Sequence, residues 1–369
     1  MAMELCELND TLVKINQPLK WDVFSSRGDL LLNKGFVVIC PDQLERLLER
    51  GMYAHAGDLE RSKLGKKIDE YDPFMVWDGL RRIAGRLNQI YLRGSAEEAL
   101  QALGDVVANI ATLIDKHPDA AIFELIQMDV TNYVGAHNLQ TAVLATLIAK
   151  RLNWDAASTA TLCSAAATMN IAILELQTVL AAQRAPLTPA QRAELSNHGA
   201  RGREKLEQMG VTDSNWLRAV EEHHPEALPA GKDWSEMAGI VHHADIYMAK
   251  ISPRAYRLGK SPNVAAREML QGKSLDQKIA GVIIKEIGIY PPGSCVKLAN
   301  GETAIVTKRG PQAHTPSVYS LVNATGMPLG EPVWRDTTTS SFAISSVVPK
   351  SNVMVALNRA KLFEKRYGT

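Results

Sequence analysis

The sequence predicts a mainly α protein: an all-α helical bundle with a small N-terminal α/β unit and a small C-terminal β-barrel or meander. Helical periodicity runs almost without interruption from residue 73 to about residue 288. Short β-type runs with turn residues precede it, and a β-type pattern around the Asn300-Gly301 turn follows it. The 369 residues, of which 46% are hydrophobic, are enough to fill two or three cores.

The predicted domains follow from changes in pattern along the chain. Residues 1–57 form the N-terminal unit, which includes a helix that begins at Pro41, since proline suits the first turn of a helix. The strongly charged residues 58–72 predict a linker. Residues 289–350 form the β unit, and residues 351–369 predict a short basic helix at the end of the chain.

Helix start signals support the assignment of residues 73–288 to a bundle. Ser95 with Glu98 predicts a capping box that opens the helix "AEEALQALGDVVANIATLIDKH". Thr188 with Gln191 predicts a second capping box, and the proline that follows Thr188 suits a first helical position.

Charge and composition exclude several classes of partner. The 41 Lys and Arg residues nearly balance 40 Asp and Glu, so the net charge of +1 gives no broad attraction for nucleic acid. The apolar stretch "TAVLATLIAKRL" is interrupted by Lys150 and Arg151, which predicts no membrane insertion. The four cysteines form no CxxC pair, and the start "MAMELCELND" is charged where a secretion signal needs an apolar run. We therefore expect a cytoplasmic protein.

Six of the nine histidines lie between residues 137 and 243. His223 and His224 are adjacent, and Pro225 disfavours helical geometry at His224, so we expect this pair at a helix end that faces a cavity. Alone, such a pair is typical of a solvated helix terminus. For the second adjacent pair, we expect one of His242 and His243 on the helix surface and the other in the core.

The order of these histidines resembles a known ligand pattern. In HD-GYP domains, the HD-superfamily phosphodiesterases that hydrolyse the second messenger cyclic di-GMP, metal ligands follow the order found here in His137, His198, His223, His224 and Asp245. The resemblance covers roughly residues 130–306, including "HNLQTAVLATLIAKRL", "LTPAQRAELSNHGARGREKL" and "YPPGSCVKLANGETAIV". The N-terminal pattern "WDVF…GDLLLNKGFVV…QLERLLERGMY" looks like the small domain that often precedes HD-GYP domains. The resemblance implies an HD-type bundle and a role in bacterial cyclic di-GMP signalling.

The sequence departs from the family where the family performs catalysis. Family members carry a His-Asp dyad followed by a glycine and a lysine, where this chain reads "AAATMNIAILEL". The replacements, in order, are Met169, Asn170, Ala172 and Ile173. The Gly-Tyr-Pro segment is absent as well, and "PEALPAGKDWSEMAG" after His224 predicts a shortened loop.

These replacements predict a degenerate HD-GYP domain, a pseudoenzyme. In the family the dyad aspartate bridges two cations, whereas the amide of Asn170 is neutral and binds hard cations weakly. Met169 is expected to pack in the core, and Ile173 can neither donate a proton nor hold a phosphate. We therefore expect no catalytic residues and no hydrolysis by the family mechanism.

Two groups of residues remain as candidates for binding. The first is the remnant of the ligand set, which could still hold one divalent ion: His137, His198, His223, His224 and Asp245. The alternative is that no cofactor is bound and these side chains fill the pocket by hydrogen-bonding one another. In "SPRAYR", Arg254 and Arg257 correspond to the family's phosphate-binding residues. The alternative for these arginines is an ordinary surface pair with a helix carboxylate.

Three functions stay open on the sequence. The preferred hypothesis is a catalytically inactive signalling protein that acts by binding a protein partner, with cyclic di-GMP as its candidate ligand. The second is a phosphodiesterase or phosphohydrolase with an altered single-metal site. The third is an interaction scaffold with no ligand, in which the β units make the contacts. A homodimer paired through a helix is a further arrangement open to such a domain.

Overall fold

The computed structural model describes residues 5–8, 13–15, 17–49, 52–55, 72–127, 133–224, 234–254, 257–272 and 276–363. Within these ranges the chain contains fourteen α-helices and two antiparallel sheets, which confirms the prediction of a mainly α protein. It divides into two compact units, residues 1–83 and 84–369. None of the helices in the described ranges has both the length and the apolar character needed to span a bilayer.

The first unit contains a four-stranded antiparallel sheet with the order β1-β4-β2-β3. Its elements are β1 Leu5–Glu7, β2 Val23–Phe24, β3 Leu30–Leu32, helix α1 Pro41–Glu49 and β4 Tyr53–His55. Trp21, Phe36 and Leu47 are part of a buried apolar cluster beneath these elements. The predicted small α/β unit is therefore present, with its helix beginning at Pro41.

Helix α2 spans Pro73–Arg93 and contains the division between the two units. The linker predicted over residues 58–72 lies outside the described residues, except for its last residue. The predicted domain bounds therefore stay predictions.

The second unit is built around one buried helix. Its helices are α3 Ala96–Lys116, α4 Pro118–Gln127, α5 Tyr133–Arg151, α6 Ala156–Thr168, α7 Leu174–Ala182, α8 Pro189–Ser196, α9 His198–Gln208, α10 Ser214–Glu222, α11 Glu236–Ile251, α12 Pro262–Gln271 and α13 Gln277–Ile287. Every residue of α5 from Val134 to Ala149 is buried, because α6 and α11 both pack against it. This helix carries one wall of the candidate site into the centre of the bundle.

The caps of two helices agree with the sequence, although at Ser95 and Glu98 only the serine half of the predicted capping box is formed. The Ser95 hydroxyl accepts a hydrogen bond from the Glu98 backbone N–H (3.1 Å), which starts α3. Thr188 and Gln191 form the complete capping box at the start of α8, each side chain accepting from the backbone N–H of the other.

The C-terminal sheet follows the bundle. Its strands are β5 Cys295–Leu298, β6 Thr303–Lys308, β7 Ser317–Val322, β8 Pro328–Asp336 and β9 Ile344–Val348, in the order β8-β7-β6-β5-β9. The predicted hairpin joins β5 to β6, and Gly301 occupies its turn with a φ of 86°. The distinction between a barrel and a meander stays a prediction.

One arginine attaches this sheet to the helices. Arg309, directly after β6, donates to the carboxylates of Asp119 in α4 and Glu286 in α13, each at 2.6 Å. The last described helix, α14, spans Arg359–Phe363, inside the range predicted for a basic C-terminal helix.

Candidate functional site

A cavity of about 490 Å³ opens within the helical part of the second unit. One wall is polar and its residues come from α5, α11 and the helix ends between them: Tyr133, His137, Asn170, His198, His224, Asp245, Ala249 and Arg254. The rest of the lining is mostly apolar and comes from the N-cap of α7, α7 itself, the chain leading into α8, and α8: Ile173, Gln177, Leu180, Ala181, Gln183, Arg184, Ala185, Pro186, Leu187 and Leu195. The sequence therefore placed most of its candidate residues around one space.

Three histidines form a cluster at the polar wall. His198 is the first residue of α9, and His223 and His224 follow directly after α10, at the predicted helix end. One ring nitrogen of each lies within 4.8 Å of those of the others, and the ring centroids of His223 and His224 are 4.4 Å apart. Three imidazoles at this separation are a ligand set that suits one divalent transition metal ion.

The hydrogen bonds of two of these rings fix where their protons are. His198 Nδ1 lies 2.5 Å from the Leu195 carbonyl, and His223 Nδ1 lies 2.7 Å from the Val220 carbonyl. A carbonyl oxygen only accepts, so each ring donates from Nδ1 and its Nε2 keeps a lone pair when the ring is neutral.

The two Nε2 atoms lie 3.0 Å apart. Burial, followed by the nearby charges of His224 and His198, holds the pKa of His223 well below its usual value, which favours the neutral ring. In metal-binding histidines, one ring nitrogen donates its N–H to a neighbouring acceptor and the lone pair of the other nitrogen binds the metal. His198 and His223 are arranged in this way.

Asp245 and His137 form a hydrogen-bonded pair in the same polar wall. His137 Nε2 donates to Asp245 Oδ1 at 2.6 Å, joining α5 to α11. Burial alone raises the pKa of Asp245, but the hydrogen bond and charge of His137 outweigh it and lower that pKa. One carboxylate oxygen of Asp245, Oδ1, is therefore already engaged by an imidazole.

Tyr133 and Arg254 continue the polar wall. The Tyr133 ring stacks on the His137 ring, with centroids 5.3 Å apart and an interplanar angle of 9°. Arg254 donates from Nη2 to the Tyr133 hydroxyl at 2.6 Å, and its guanidinium carbon lies 4.9 Å from the ring centroid. Arg257, by contrast, donates to the Ala249 carbonyl and does not line the cavity. The structure thus brings Arg254 to the site and leaves Arg257 outside it.

The positions at which the sequence departs from the HD-GYP pattern lie partly in the core and partly in the lining of the cavity. Met169 is completely buried, as expected for a core residue. Asn170 and Ile173 line the cavity, and the Asn170 amide nitrogen lies 3.4 Å from the Asn138 side-chain oxygen. The residues present do not fit a two-ion centre, because position 170 supplies an amide where a bridging anion is needed. They do fit a single ion at the three histidines.

The prediction for His242 and His243 is wrong in one respect, because both are buried. His242 Nδ1 donates to the His223 carbonyl at 2.7 Å, and burial lowers the pKa of His242 to about 4. His243 Nδ1 donates to the Gly239 carbonyl, while its Nε2 accepts from the Asp276 backbone N–H at 2.9 Å. Other elements cover α11 on both of these faces, which the sequence of one helix does not reveal.

Sequence reasoning missed the apolar lining other than Ile173 and four polar residues of the cavity: Tyr133, Gln177, Gln183 and Arg184. Gln177 lies on α7, whereas Gln183 and Arg184 follow the end of that helix at Ala182 in extended chain, so no helical periodicity in the sequence relates them. The loop predicted to be shortened after His224 falls largely on residues 225–233, which lie outside the described residues.

Comparison with known proteins gives little further information. No protein-family model matches the chain, and no curated protein matches it. One similar solved structure is that of Bd1817, described as an HDG"Y"P protein from Bdellovibrio bacteriovorus. It has a TM-score of 0.48 and 14% sequence identity, and the match covers 76% of this chain and 99% of that chain. These values do not by themselves establish a shared fold or function.

Proposed function

We propose that this chain is an HD-GYP-like signalling protein that acts by binding rather than by hydrolysis. Its cavity binds cyclic di-GMP, and a protein partner distinguishes the chain with bound ligand from the chain without it. The observation that carries this proposal is that Asn170 and Ile173, which both line the cavity, supply neither a negative nor a positive charge to it.

The absence of hydrolysis follows from the chemistry of that wall. Activation of water for attack on a phosphodiester needs negative ligands that hold metal ions close together. Asn170 offers an amide, and Asp245 Oδ1 is engaged by His137. Ile173 is apolar, so it gives no charge to a phosphoryl oxygen. Each such loss removes several kcal/mol of transition-state stabilisation, on the order of 3 kcal/mol per group.

Ligand binding is supported by what the cavity retains. Its volume of about 490 Å³ is in the range of small-molecule sites. Arg254 is held by the hydroxyl and ring of Tyr133, so its guanidinium is already oriented for contact with a phosphate. Orientation before binding reduces the entropy that the complex loses.

The histidine cluster would hold one divalent ion. His198, His223 and His224 would be its protein ligands, and the ion would add positive charge next to the cavity. In the binding role, this charge would attract the phosphate groups of the ligand.

Calorimetry with cyclic di-GMP tests the proposal. The wild-type protein should bind, and Arg254→Ala should weaken binding by about 10-fold or more, because a charge-assisted contact is lost. Arg192→Ala is the matched control, since Arg192 is an exposed arginine of α8 outside the cavity. Equal affinity of all three proteins would show that the ligand binds outside the part of the cavity at Arg254. If none of them binds cyclic di-GMP, the proposal is wrong and the interaction scaffold becomes the better hypothesis.

A hydrolase with a single metal ion is the second candidate, and the histidine cluster is the observation that favours it. An assay of cyclic di-GMP cleavage with Mn²⁺ or Fe²⁺ added, together with elemental analysis of the purified protein, separates the two. Turnover that depends on a stoichiometric ion would support the hydrolase and contradict the binding role.

A further inference from the structure

We propose that Glu268 is a positioning residue for Arg254. By pairing with Lys250 and Lys260, it holds together the two arms of the chain segment that carries Arg254 to the cavity. This inference rests on the proposed function for its effect on ligand affinity, because Arg254 is the phosphate contact of that proposal. Glu268 lies on α12 and does not line the cavity, so its effect on a ligand passes through Arg254.

The chain after α11 turns back on the end of that helix. The Arg254 backbone N–H donates to the Arg257 carbonyl at 2.8 Å, and the Arg257 N–H donates to the Arg254 carbonyl at 3.1 Å. Further along, the Lys260 N–H donates to the Lys250 carbonyl at 2.9 Å. These three bonds define the Arg254 hairpin, whose first arm contains Arg254 and whose second arm contains Lys260.

The arms of the Arg254 hairpin approach each other closely at Gly259. A Cβ atom at this position would overlap the Ile251 carbonyl oxygen and would lie 3.1 Å from the Pro253 backbone nitrogen. Glycine permits this approach because it has no side chain. The second arm is therefore packed on the backbone just before Arg254, and separation of the arms would move Arg254.

Two lysines lie together at the base of the hairpin. The backbones of Lys250 and Lys260 are hydrogen-bonded, and like charges on paired positions repel. Glu268 offsets this repulsion, because Lys250 Nζ donates to its Oε2 at 2.7 Å and Lys260 Nζ donates to its Oε1. These hydrogen bonds lower the pKa of Glu268 to about 2, so its carboxylate is charged at neutral pH.

Helix α12 fixes the position of Glu268 independently of the hairpin. Ala265, Ala266 and Met269 are buried, and α12 packs against both α11 and α13. The carboxylate is therefore a fixed point on the bundle to which both arms of the hairpin are bonded.

The side chain of Arg254 reaches the cavity from this hairpin. Its Nη2 donates to the hydroxyl of Tyr133, the first residue of α5, at 2.6 Å. The position of the guanidinium thus depends on Tyr133 at one end and on the hairpin backbone at the other. An open hairpin would take Arg254 out of the geometry in which it contacts a phosphate.

Calorimetry with cyclic di-GMP tests the charge arrangement. Glu268→Gln keeps the shape of the side chain but leaves two lysine charges unbalanced, so affinity should fall by about 5-fold. Lys260→Met added to Glu268→Gln removes the repulsion and should restore affinity to within about 2-fold of the wild type. Glu331→Gln is the matched control and should bind as the wild type does, because Glu331 also pairs with a lysine but lies outside the cavity and the hairpin.

Hydrogen exchange gives a second measurement that needs no ligand. The backbone N–H groups of Arg257 and Lys260 are bonded across the hairpin, so their exchange rates report its opening. Glu268→Gln should accelerate both by about 5-fold, and the double variant should restore them. The N–H of Ala265, which is bonded to the Ser261 carbonyl within α12, should exchange at the same rate in all variants if α12 stays folded.

The outcomes separate this inference from the proposed function. If the wild type binds cyclic di-GMP and Glu268→Gln keeps both its affinity and its exchange rates, the positioning role is wrong and the proposed function stands. Weaker binding without faster exchange, or without recovery in the double variant, would also contradict the positioning role. If the wild type binds no cyclic di-GMP, the proposed function is wrong, and the exchange rates alone decide whether Glu268 holds the hairpin closed.

Discussion

His198 and His223 face each other with Nε2 atoms 3.0 Å apart, while the Nδ1 atom of each ring is bonded to a backbone carbonyl. The two rings belong to different helix ends, so the arrangement depends on how α9 packs against α10. Because both Nδ1–H groups donate to carbonyls, Nε2 is the nitrogen of each ring that could bind a metal ion.

Replacement of His224 by alanine should weaken binding of one Zn²⁺ ion. His224 completes the cluster and is less buried than its neighbours, so the variant should fold. The loss of one of three imidazole ligands should lower affinity by roughly 10-fold or more. Competition with a chromogenic chelator measures this, with His314→Ala, an exposed histidine, as the control. Unchanged Zn²⁺ affinity in His224→Ala would contradict a metal site at the cluster.

Asn170→Asp should increase the affinity for Mn²⁺ by roughly 10-fold. Asn170 lines the cavity that contains His198 and His224, and an aspartate there restores a hard anionic oxygen. The amide of Asn138 can turn its N–H group toward the new carboxylate. Titration monitored by the paramagnetic signal of free Mn²⁺ gives the affinity and the stoichiometry. A variant that binds Mn²⁺ no better than the wild type would show that charge at position 170 is not what limits the site.

Gly199→Ala should destabilise the protein and disturb the histidine cluster. A Cβ atom at Gly199 would lie 2.5 Å from the Glu221 carbonyl oxygen, so α9 and α10 would have to separate. We expect a loss of about 1–3 kcal/mol in the free energy of unfolding. Gly104→Ala is the control, because a Cβ atom there meets nothing within 4 Å and alanine favours the helix. Chemical denaturation followed by circular dichroism compares them, and equal stability of Gly199→Ala and wild type would refute the close packing.

Glu302 should make the C-terminal sheet sensitive to acid. Arg335 donates to both oxygens of Glu302 at 2.8 Å, and this pairing, against the effect of burial, lowers the pKa of Glu302 to about 2. A carboxyl pKa lowered by folding stabilises the folded state above its unfolded value of 4.5, and this stabilisation is lost as the pH falls from 4.5 toward 2.

Glu302→Gln should therefore lower the free energy of unfolding by about 1–3 kcal/mol at pH 7. The difference from wild type should shrink between pH 4.5 and pH 2, as measured by denaturant titrations at several pH values. Glu331→Gln removes an exposed pair with Lys361 and should have little effect. A constant difference across this pH range would contradict the assigned pairing.

Much of the fold could be predicted from local signals. Capping residues fixed the starts of α3 and α8, and the Asn300-Gly301 turn predicted the β5–β6 hairpin, because these features depend on neighbours in sequence. The positions of the histidines required the resemblance to a family, because ring clustering depends on contacts between distant helices. Burial of both His242 and His243 could not be predicted, since it depends on which helices cover α11.

The candidate site was predictable on one wall and not on the other. The polar wall contains residue types that suggest chemistry by themselves, such as His137 and Asp245. The rest of the lining consists of two glutamines, an exposed arginine and apolar residues, none of which suggests chemistry by itself. Only the cavity shows that Gln177 and Arg184 face the same space.

The hydrogen bonds of Gln183 have a kinetic consequence. Because Gln183 binds the carbonyls of Ala185 and Pro186 without help from a ligand, the segment 183–186 does not have to close when a molecule enters. The association rate constants of related ligands would then be similar, and the protein would select among them through their dissociation rates.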